Sequence, residues 1–255
     1  MRYAITREVP GTINDCQLVE LDRSVIDIEK ARRQHQAYCD LLTSVGWKVV
    51  TLPREDRWPD SVFVEDTAIV VDECAILARP GAESRRAEVA PIAEVLRRYR
   101  SLEQIDPAGT LDGGDVLVQG QKVWIGRTSR TNNHAIDQVK AILQPFGYTV
   151  QSVAVAGCLH LKSAATPVGE RHVVVNTQWV DVSAFEGCEV IETPADEPGG
   201  ANVLDLGDCV VVDARYPGLQ QKISERGFQS EALEASELAK AEGALTCCSL
   251  LIQDV

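Results

Sequence analysis

The sequence has no long hydrophobic run and none of the familiar metal-binding patterns. No stretch approaches the roughly 18 apolar residues that a membrane-spanning helix needs, and the first residues, MRYAITREVPG, contain no apolar core of a signal peptide. Its eight cysteines and four histidines form no Cys-x-x-Cys or His-Glu-x-x-His motif, so the residues do not support a structural zinc site. We therefore expect a cytoplasmic protein with no metal requirement.

Basic residues are also few relative to acidic ones. The 255 residues include 25 Lys and Arg against 38 Asp and Glu, which gives a formal net charge of -13. A field of this sign repels nucleic acids and anionic membranes and attracts small cations. The charge therefore argues against a nucleic-acid or membrane partner and permits a small cationic ligand. The cysteines are scattered along a chain too long to need disulfides, so we expect reduced thiols.

Pairs of short apolar strands alternate with amphipathic helices along the chain. Polar turns join the two strands of each pair, as expected of hairpins. Helices are predicted between the pairs, the first capped by Ser24 and ended by Gly46, and the last over residues 231–242. The predicted strand pairs are 62–71 with 75–78, 115–118 with 122–126, 159–165 with 172–176, and 201–206 with 209–213.

Comparable points of successive units recur with a period of about 45 residues. Taken at Asp66, Asp112, His160, Asn202 and Cys247, the spacings are 46, 48, 42 and 45 residues. Such a period is typical of a repeat architecture. The last unit, residues 245–252, has one strand, and we expect the strand at residues 2–5 to complete it and close a ring.

The predicted fold is therefore α/β, a five-bladed α/β propeller of ββαβ-type repeats around a central channel. Residues 1–255 would form a single catalytic propeller domain. A ring of this kind brings polar residues from distant units together at its axis. An ordinary open α/β sheet built from the same elements is the alternative that the pattern leaves open.

Carboxylates interrupt an apolar segment in the first unit. Asp60, Glu65 and Asp66 lie within seven residues, next to apolar residues 62–64. Burying an unpaired carboxylate is costly, so each must face solvent, a helix N-terminus or a buried cation. A guanidinium suits such a site because its planar donors match carboxylates. A structural hydrogen-bonding role is the alternative.

Later units supply a histidine and a thiol. Asp112 and Asp115 flank a Gly-Gly turn that they can cap, and Asp112 can equally orient a histidine or bind the same cation. His160 lies among apolar residues, where a lone histidine is usually part of the core unless a nucleophile is near. Cys247 and Cys248 fall in the predicted C-terminal strand, whose alternation allows at most one of them to line the channel.

Together these segments resemble the dimethylarginine dimethylaminohydrolase family, which belongs to the guanidino-modifying group of five-bladed propellers called penteins. The similarity runs over nearly the whole chain. Several motifs in the same order, at compatible spacings, make the resemblance specific. The segments that carry it are SVFVEDTAIV, ARPGAESRR, TLDGGDVLV, IGRTSRTN, LHLKS, GGANV and LTCCSLLI.

The resemblance implies roles for individual residues. Cys247 matches the nucleophile, His160 the proton-transfer residue and Asp112 the carboxylate that orients the histidine. Two positions depart from the usual pattern, with a small Ala241 where a larger aliphatic is common and Glu242 in place of aspartate. The implied substrate-binding residues are Asp60, Glu65 and Asp66 around the guanidinium, Arg85 and Arg130 at the amino-acid end, Leu18 in a lid segment at residues 9–19, and Ala241 and Glu242 beside the substrate.

The implied reaction is hydrolysis of asymmetric dimethylarginine or monomethylarginine to citrulline, with dimethylamine or methylamine released through a thiouronium on Cys247. It uses no cofactor, and the substrate is a small cationic amino acid. The protein would be a monomer or homodimer. Arginine deiminase, amidinotransferase and a non-catalytic propeller that binds a partner are the alternatives. The chain length and the pair Glu65-Asp66 disfavour the deiminase.

Overall fold

The protein, seen in a computed structural model that describes residues 1–253, is built from five three-stranded sheets. In each sheet the central strand pairs antiparallel with one neighbour and parallel with the other. The strands are β1 (Tyr3–Arg7), β2 (Lys48–Leu52), β3 (Ala68–Val70), β4 (Cys74–Leu77), β5 (Ser101–Gln104), β6 (Val116–Gln119), β7 (Lys122–Arg127), β8 (Thr149–Ala154), β9 (Ala165–Val168), β10 (His172–Val175), β11 (Glu189–Glu192), β12 (Leu204–Asp205), β13 (Val210–Asp213), β14 (Ser230–Leu233) and β15 (Leu250–Ile252).

The two ends of the chain complete one blade together. β1 pairs antiparallel with β15, with Tyr3 opposite Ile252 and Ile5 opposite Leu250. β1 also pairs parallel with β2. The predicted closure of the ring by the N-terminal strand is therefore confirmed, and so is the prediction of a five-bladed propeller.

Parallel strands need a crossover connection, and a helix supplies it in four of the five blades. The first begins at Ile28 instead of near Ser24, because the Asp27 side chain caps it by accepting the Lys30 N–H at 3.0 Å. In the blade formed by β9, β10 and β11 a short 3₁₀ helix, Val182–Phe185, takes this place. The α-helices are α1 (Ile28–Ser44), α2 (Val89–Leu96), α3 (Asn133–Leu143), α4 (Leu161–Ala164), α5 (Pro217–Glu225) and α6 (Ser236–Ala239).

The first strands of the blades surround a central channel. A cavity of about 620 Å³ runs between β3, β6, β9, β12 and β15. Each of these strands contributes apolar side chains to its wall. One lining residue from each is Ile69, Val118, Pro167, Leu204 and Leu251.

A short helix precedes the first strand of every blade, and we call these five the leading helices. In four of the five neighbouring pairs, the leading helices pack against each other around the axis. The predicted strands at 62–71, 159–165, 201–206 and 245–252 therefore begin too early, because a short buried apolar run does not distinguish strand from helix. The leading helices are Val64–Thr67, Gly113–Asp115, α4, Pro198–Ala201 and Thr246–Cys248.

The predicted ββαβ-type repeats include a third strand in each blade, but the sequence pattern gave no bounds for these strands. β5, β8 and β14 are polar and largely exposed, so they lack the apolar alternation that marks a half-buried strand. Of the helix predicted over residues 231–242, only Ser236–Ala239 forms an α-helix, and residues 231–233 belong to β14. Its helical propensity is overridden by pairing with β13.

Within residues 1–253, none of the helices is both long and apolar enough to cross a bilayer.

Gly113 lies where two leading helices touch. A Cβ there would lie 2.0 Å from the Glu65 carbonyl oxygen and 2.9 Å from that of Ala68, and backbone atoms cannot move aside cheaply. We expect Gly113→Ala to lower the free energy of unfolding by at least about 3 kcal/mol in urea denaturation. Gly120 is the control, since nothing lies within 4 Å of its Cβ position although its φ is +55°. Gly120→Ala should cost about 1 kcal/mol, and equal losses would contradict the close contact.

Candidate active site

The leading helices bring the repeat positions to one region of the ring. Asp66 lies within the first of these helices, Asp112 and His160 immediately precede the second and third, Asn202 follows the fourth, and Cys247 is in the fifth. All five side chains are buried. The period of about 45 residues therefore corresponds to one leading helix in each blade.

His160 is held between two carboxylates. Its Nε2 lies 3.1 Å from Asp112 Oδ2, and its Nδ1 lies 4.0 Å from Asp66 Oδ1. Burial alone would lower the pKa of His160, but Asp66, Asp112 and Asp115 outweigh it and raise the pKa to about 9. The imidazole is therefore protonated at neutral pH and can donate a proton.

Asp115 fixes the start of the helix that follows His160. Its Oδ1 accepts the Leu161 N–H at 2.9 Å, and its Oδ2 accepts the Thr128 hydroxyl at 2.7 Å. Burial raises the pKa of Asp115 to about 6. The sequence suggested a turn cap at this position, and it gave no sign that the carboxylate reaches the next blade.

The two cysteines of the last leading helix have different surroundings. Cys247 lines a small cavity together with His160. Cys248 is buried outside that cavity, with its Sγ 3.6 Å from the Ala244 carbonyl oxygen. Burial, reinforced by Glu65 and Asp66, raises the pKa of the Cys247 thiol well above its ordinary value. Forming the thiolate therefore requires a cation close by.

The cavity at Cys247 collects most of the predicted site residues. Its free volume is about 20 Å³, which is room for roughly one water molecule. The lining residues that the sequence singled out are Asp60, Asp66, Arg85, Arg130, His160, Ala241, Glu242 and Cys247, and those it did not are Gln17, Phe63, Leu159 and Gly243.

Arg85 is tied to the protein by several hydrogen bonds. It donates to Asp66 Oδ2 at 2.5 Å, to Glu88 Oε2 at 2.9 Å and to the Phe63 carbonyl oxygen at 2.9 Å. Burial would lower the pKa of Arg85, but Glu88 and Asp66 outweigh it and raise the pKa. Sequence reasoning missed Glu88, although a glutamate three residues after a site arginine was a signal for an ion pair on one helical face.

Arg130 is less constrained than Arg85. Within residues 1–253 its nearest carboxylate is that of Asp112, with Arg130 Nη1 3.9 Å from Asp112 Oδ2. The side chain is buried and lines the cavity. Of the two predicted arginines, Arg130 is therefore the one whose guanidinium can turn to a new anion at little cost.

The segment after residue 9 covers the cavity through two carboxylates. The Gln17 N–H lies 3.2 and 3.3 Å from the two oxygens of Asp60. Glu242 Oε1 accepts the N–H groups of residues 19–21 at 2.6 to 2.9 Å. Leu18 lies between these two attachments. Within residues 1–253, Glu242 Oε2 is buried without a hydrogen-bond partner.

Glu65 lies on the other side of the last leading helix. It lines the central channel and contributes nothing to the cavity at Cys247. Its Oε1 accepts from Lys162 Nζ at 2.5 Å, and its Oε2 accepts from the Thr246 hydroxyl at 2.7 Å. Burial raises the pKa of Glu65. The structure therefore does not bring Glu65 together with Asp60 and Asp66, the other two predicted guanidinium ligands, which line the cavity.

Three of the site residues also have the geometry of metal ligands. One ligand atom from each of Asp66, Asp112 and His160 lies within 4.8 Å of the others. These residues already bind one another and neighbouring donors, with Asp66 accepting from Arg85 and Asp112 from the Gly81 N–H. Hydrogen bonds and ion pairs within the protein therefore already account for the positions of these three side chains, and metal independence stays a prediction.

A buried cysteine and histidine lie among carboxylates and arginines in a five-bladed α/β propeller, and this combination of fold and site defines a pentein. A family model described as N,N dimethylarginine dimethylhydrolase, eukaryotic, matches residues 11–191. The N(G),N(G)-dimethylarginine dimethylaminohydrolase of Pseudomonas aeruginosa is 34% identical over 226 residues, 88% of this chain and 89% of that protein. The enzyme of the same name from Streptomyces coelicolor is 34% identical over 256 residues, 100% and 98% of the two chains. The chain belongs to the dimethylarginine dimethylaminohydrolase family.

Solved structures agree with this placement. A cysteine-to-serine mutant of the Pseudomonas aeruginosa enzyme, complexed with citrulline, superimposes with a TM-score of 0.93 at 32% identity over 98% of both chains. A histidine-to-glycine dimethylarginine dimethylaminohydrolase adduct with S-methyl-L-thiocitrulline gives 0.94 at 32% identity, over 98% and 99% of the chains. The N-terminal domain of the cyanobacterial arginine dihydrolase ArgZ gives 0.88 at 17% identity over 98% of both chains, which shows the fold alone.

The raised pKa of His160 predicts a specific pH dependence of stability. Because the folded pKa of about 9 exceeds the ordinary value of 6.5, its contribution is complete below pH 6.5 and disappears as the pH rises through 9. The loss amounts to up to about 3 kcal/mol. Urea unfolding of the wild type and of His160→Asn at pH 6.5 and at pH 9 measures this loss of stability. The variant should lose less stability than the wild type, and parallel losses would contradict the shifted pKa.

Proposed function

We propose that the chain hydrolyses asymmetric dimethylarginine and monomethylarginine to citrulline, releasing dimethylamine or methylamine. The convergence of Cys247, His160 and Asp66 on one cavity, in a member of this family, carries the proposal. The substrate is a small cationic amino acid, and the reaction uses no cofactor. The catalytic unit is the whole propeller, residues 1–255, as one domain.

Recognition of the substrate has two ends. Asp66 and Asp60 bind the guanidinium and present its central carbon to the sulfur, which is catalysis by positioning. Arg130 binds the α-carboxylate. Arg85 assists it only when the ion pairs of Arg85 with Asp66 and Glu88 loosen. This two-ended recognition favours free amino acids over arginine within a peptide.

The remaining predicted residues shape the site. Ala241 is small and leaves space beside the substrate, and Glu242 holds the covering segment through its backbone N–H groups. Glu65 acts from the channel side, through the leading helix that carries Cys247. Asp112 keeps the His160 ring in place.

The substrate cation activates the nucleophile. Its guanidinium lies against Cys247 and lowers the pKa of a thiol that burial otherwise keeps protonated. The thiol proton passes to solvent as the substrate binds. The thiolate then forms a C–S bond to the guanidinium carbon, and the His160 imidazolium donates its proton to the departing amine as the C–N bond breaks. Neutral His160 then takes a proton from water, which attacks the thiouronium, and the C–S bond breaks to release citrulline.

Access to the cavity requires the covering segment, residues 9–19 with Leu18, to move. A free volume of about 20 Å³ does not hold an amino acid. Opening breaks the hydrogen bonds of Gln17 with Asp60 and of residues 19–21 with Glu242. The carboxylates of Asp60 and Glu242 both line the cavity. Closure therefore excludes water and positions two cavity carboxylates at the same time.

Citrulline release from asymmetric dimethylarginine, monomethylarginine and arginine, assayed in parallel with excess chelator, tests the proposal. We expect turnover of the two methylated substrates and little of arginine. Cys247→Ser should still bind substrate but lose at least about 10³-fold in kcat, because it lacks the nucleophilic sulfur. Cys248→Ser is the matched control and should retain activity. Turnover of arginine alone would point to a deiminase, and no turnover of any substrate to a binding protein.

The two arginines should respond differently to mutation. Arg130→Gln should raise KM at least about tenfold with little change in stability, because its guanidinium is weakly paired with the protein. Arg85→Gln should cost about 3–5 kcal/mol of unfolding free energy, because it leaves the buried Asp66 and Glu88 without their cation. Steady-state kinetics and urea unfolding of both variants measure this contrast, and unfolding losses of equal size would contradict it.

A further inference from the structure

Asn202 is the repeat position for which the proposed chemistry has no use. It follows the fourth leading helix and corresponds in the repeat to Asp66, Asp112, His160 and Cys247. Its side chain is buried, yet it does not line the cavity at Cys247. A buried amide needs hydrogen-bond partners, and those of Asn202 belong to the neighbouring leading helices.

The amide of Asn202 holds Thr246, the residue before the nucleophile, at two points. Its Oδ1 accepts the Thr246 N–H at 3.1 Å, and its Nδ2 donates to the Thr246 hydroxyl at 3.0 Å. Nδ2 also donates to the carbonyl oxygen of Lys162 at 3.1 Å, two residues after His160. One side chain thus connects the segment of the nucleophile with that of the proton-transfer residue.

Glu65 extends this connection to the first blade. The Thr246 hydroxyl accepts from Asn202 and donates to Glu65 Oε2 at 2.7 Å, which uses its single proton. The other Glu65 oxygen binds Lys162 Nζ at 2.5 Å. Asn202, Thr246, Glu65 and Lys162 therefore form a closed set of hydrogen bonds behind the cavity, on the channel side.

External contacts of this kind matter because the helix that carries Cys247 is short. Thr246–Cys248 is a three-residue 3₁₀ helix, and such a helix has poorer hydrogen-bond geometry than an α-helix. A displacement of about 1 Å at a reacting group can cost about 100-fold in rate. The position of the Cys247 sulfur relative to His160 therefore depends on what holds Thr246.

We propose that Asn202 is a positioning residue that clamps the helix of the nucleophile to the segment of the proton-transfer residue. It makes no contact with substrate. Its loss lets Cys247 and His160 move relative to each other, which slows the chemical step and leaves substrate binding at Asp60, Asp66 and Arg130 in place. The inference rests on the proposed roles of Cys247 and His160.

Asn202→Ala, compared with Asn176→Ala, tests the clamp. Asn176 is a buried asparagine in the preceding blade whose amide bonds the Pro198 carbonyl oxygen and the Gln178 N–H at 2.9 Å each. Asn202→Ala should lower kcat by about 10- to 100-fold with KM within about threefold of the wild type. Asn176→Ala should leave kcat unchanged at a similar loss of stability. Equal losses of kcat in both variants, or a wild-type kcat in Asn202→Ala, would overturn the proposal.

Thr246 provides a second pair of variants in case Asn202→Ala does not fold. Thr246→Ser keeps the hydroxyl and should keep most of kcat, whereas Thr246→Val has nearly the same shape without the hydroxyl and should lose about tenfold or more. Equal kcat values for Ser and Val would count against the clamp.

Alkylation of Cys247 by iodoacetamide separates this inference from the proposed function. If the wild type turns over none of the arginine substrates, the proposed function fails, but the alkylation rate still reports how the thiol is held. The pH profile of alkylation should shift in Asn202→Ala and Thr246→Val and remain at the wild-type position in Asn176→Ala and Thr246→Ser. Identical profiles in all five proteins would overturn the clamp.

Discussion

The buried carboxylate of Asp66 is the group on which the rest of the site depends. One oxygen binds the Arg85 guanidinium, and the other accepts the Gly114 N–H at 3.0 Å and lies 4.0 Å from His160 Nδ1. Burial alone would raise the pKa of Asp66, but His160 and Arg85 outweigh it and lower the pKa. A charge held this way inside the protein fixes the positions of its partners, because none can leave without uncovering it.

From Asp66 the buried charges alternate in sign in both directions. Arg85 and Glu88 follow on one side, and His160 and Asp112 on the other. This order explains how a strongly acidic site can exist in the core of the ring. It also shows that a carboxylate of this site binds a guanidinium, since Asp66 already binds that of Arg85.

The site lies between two spaces of the propeller, the cavity at Cys247 and the central channel. The cavity at Cys247 is small and is covered by a segment held by Asp60 and Glu242, whereas the central channel is wide and has Glu65 and Lys162 in its lining. Thr246 lines the channel, and the next residue, Cys247, lines the cavity. The short helix that contains Thr246 and Cys247 therefore separates the two spaces, and Asn202 and Glu65 bind it from the channel side.

The sequence by itself determined the repeat, the closure of the ring by its first strand and the residues that meet at the axis, because period and hydrophobic alternation are local properties of the chain. It also separated Cys247, His160 and Asp66 from their surroundings as polar residues in apolar segments. Tertiary structure alone decided that Glu65 faces the channel and that Glu88 accompanies Arg85. Tertiary structure also decided that exposed segments form the third strands of the blades, as β14 does by pairing with β13. These outcomes depend on which blades become neighbours, and contacts between residues far apart in the chain leave no local pattern to read.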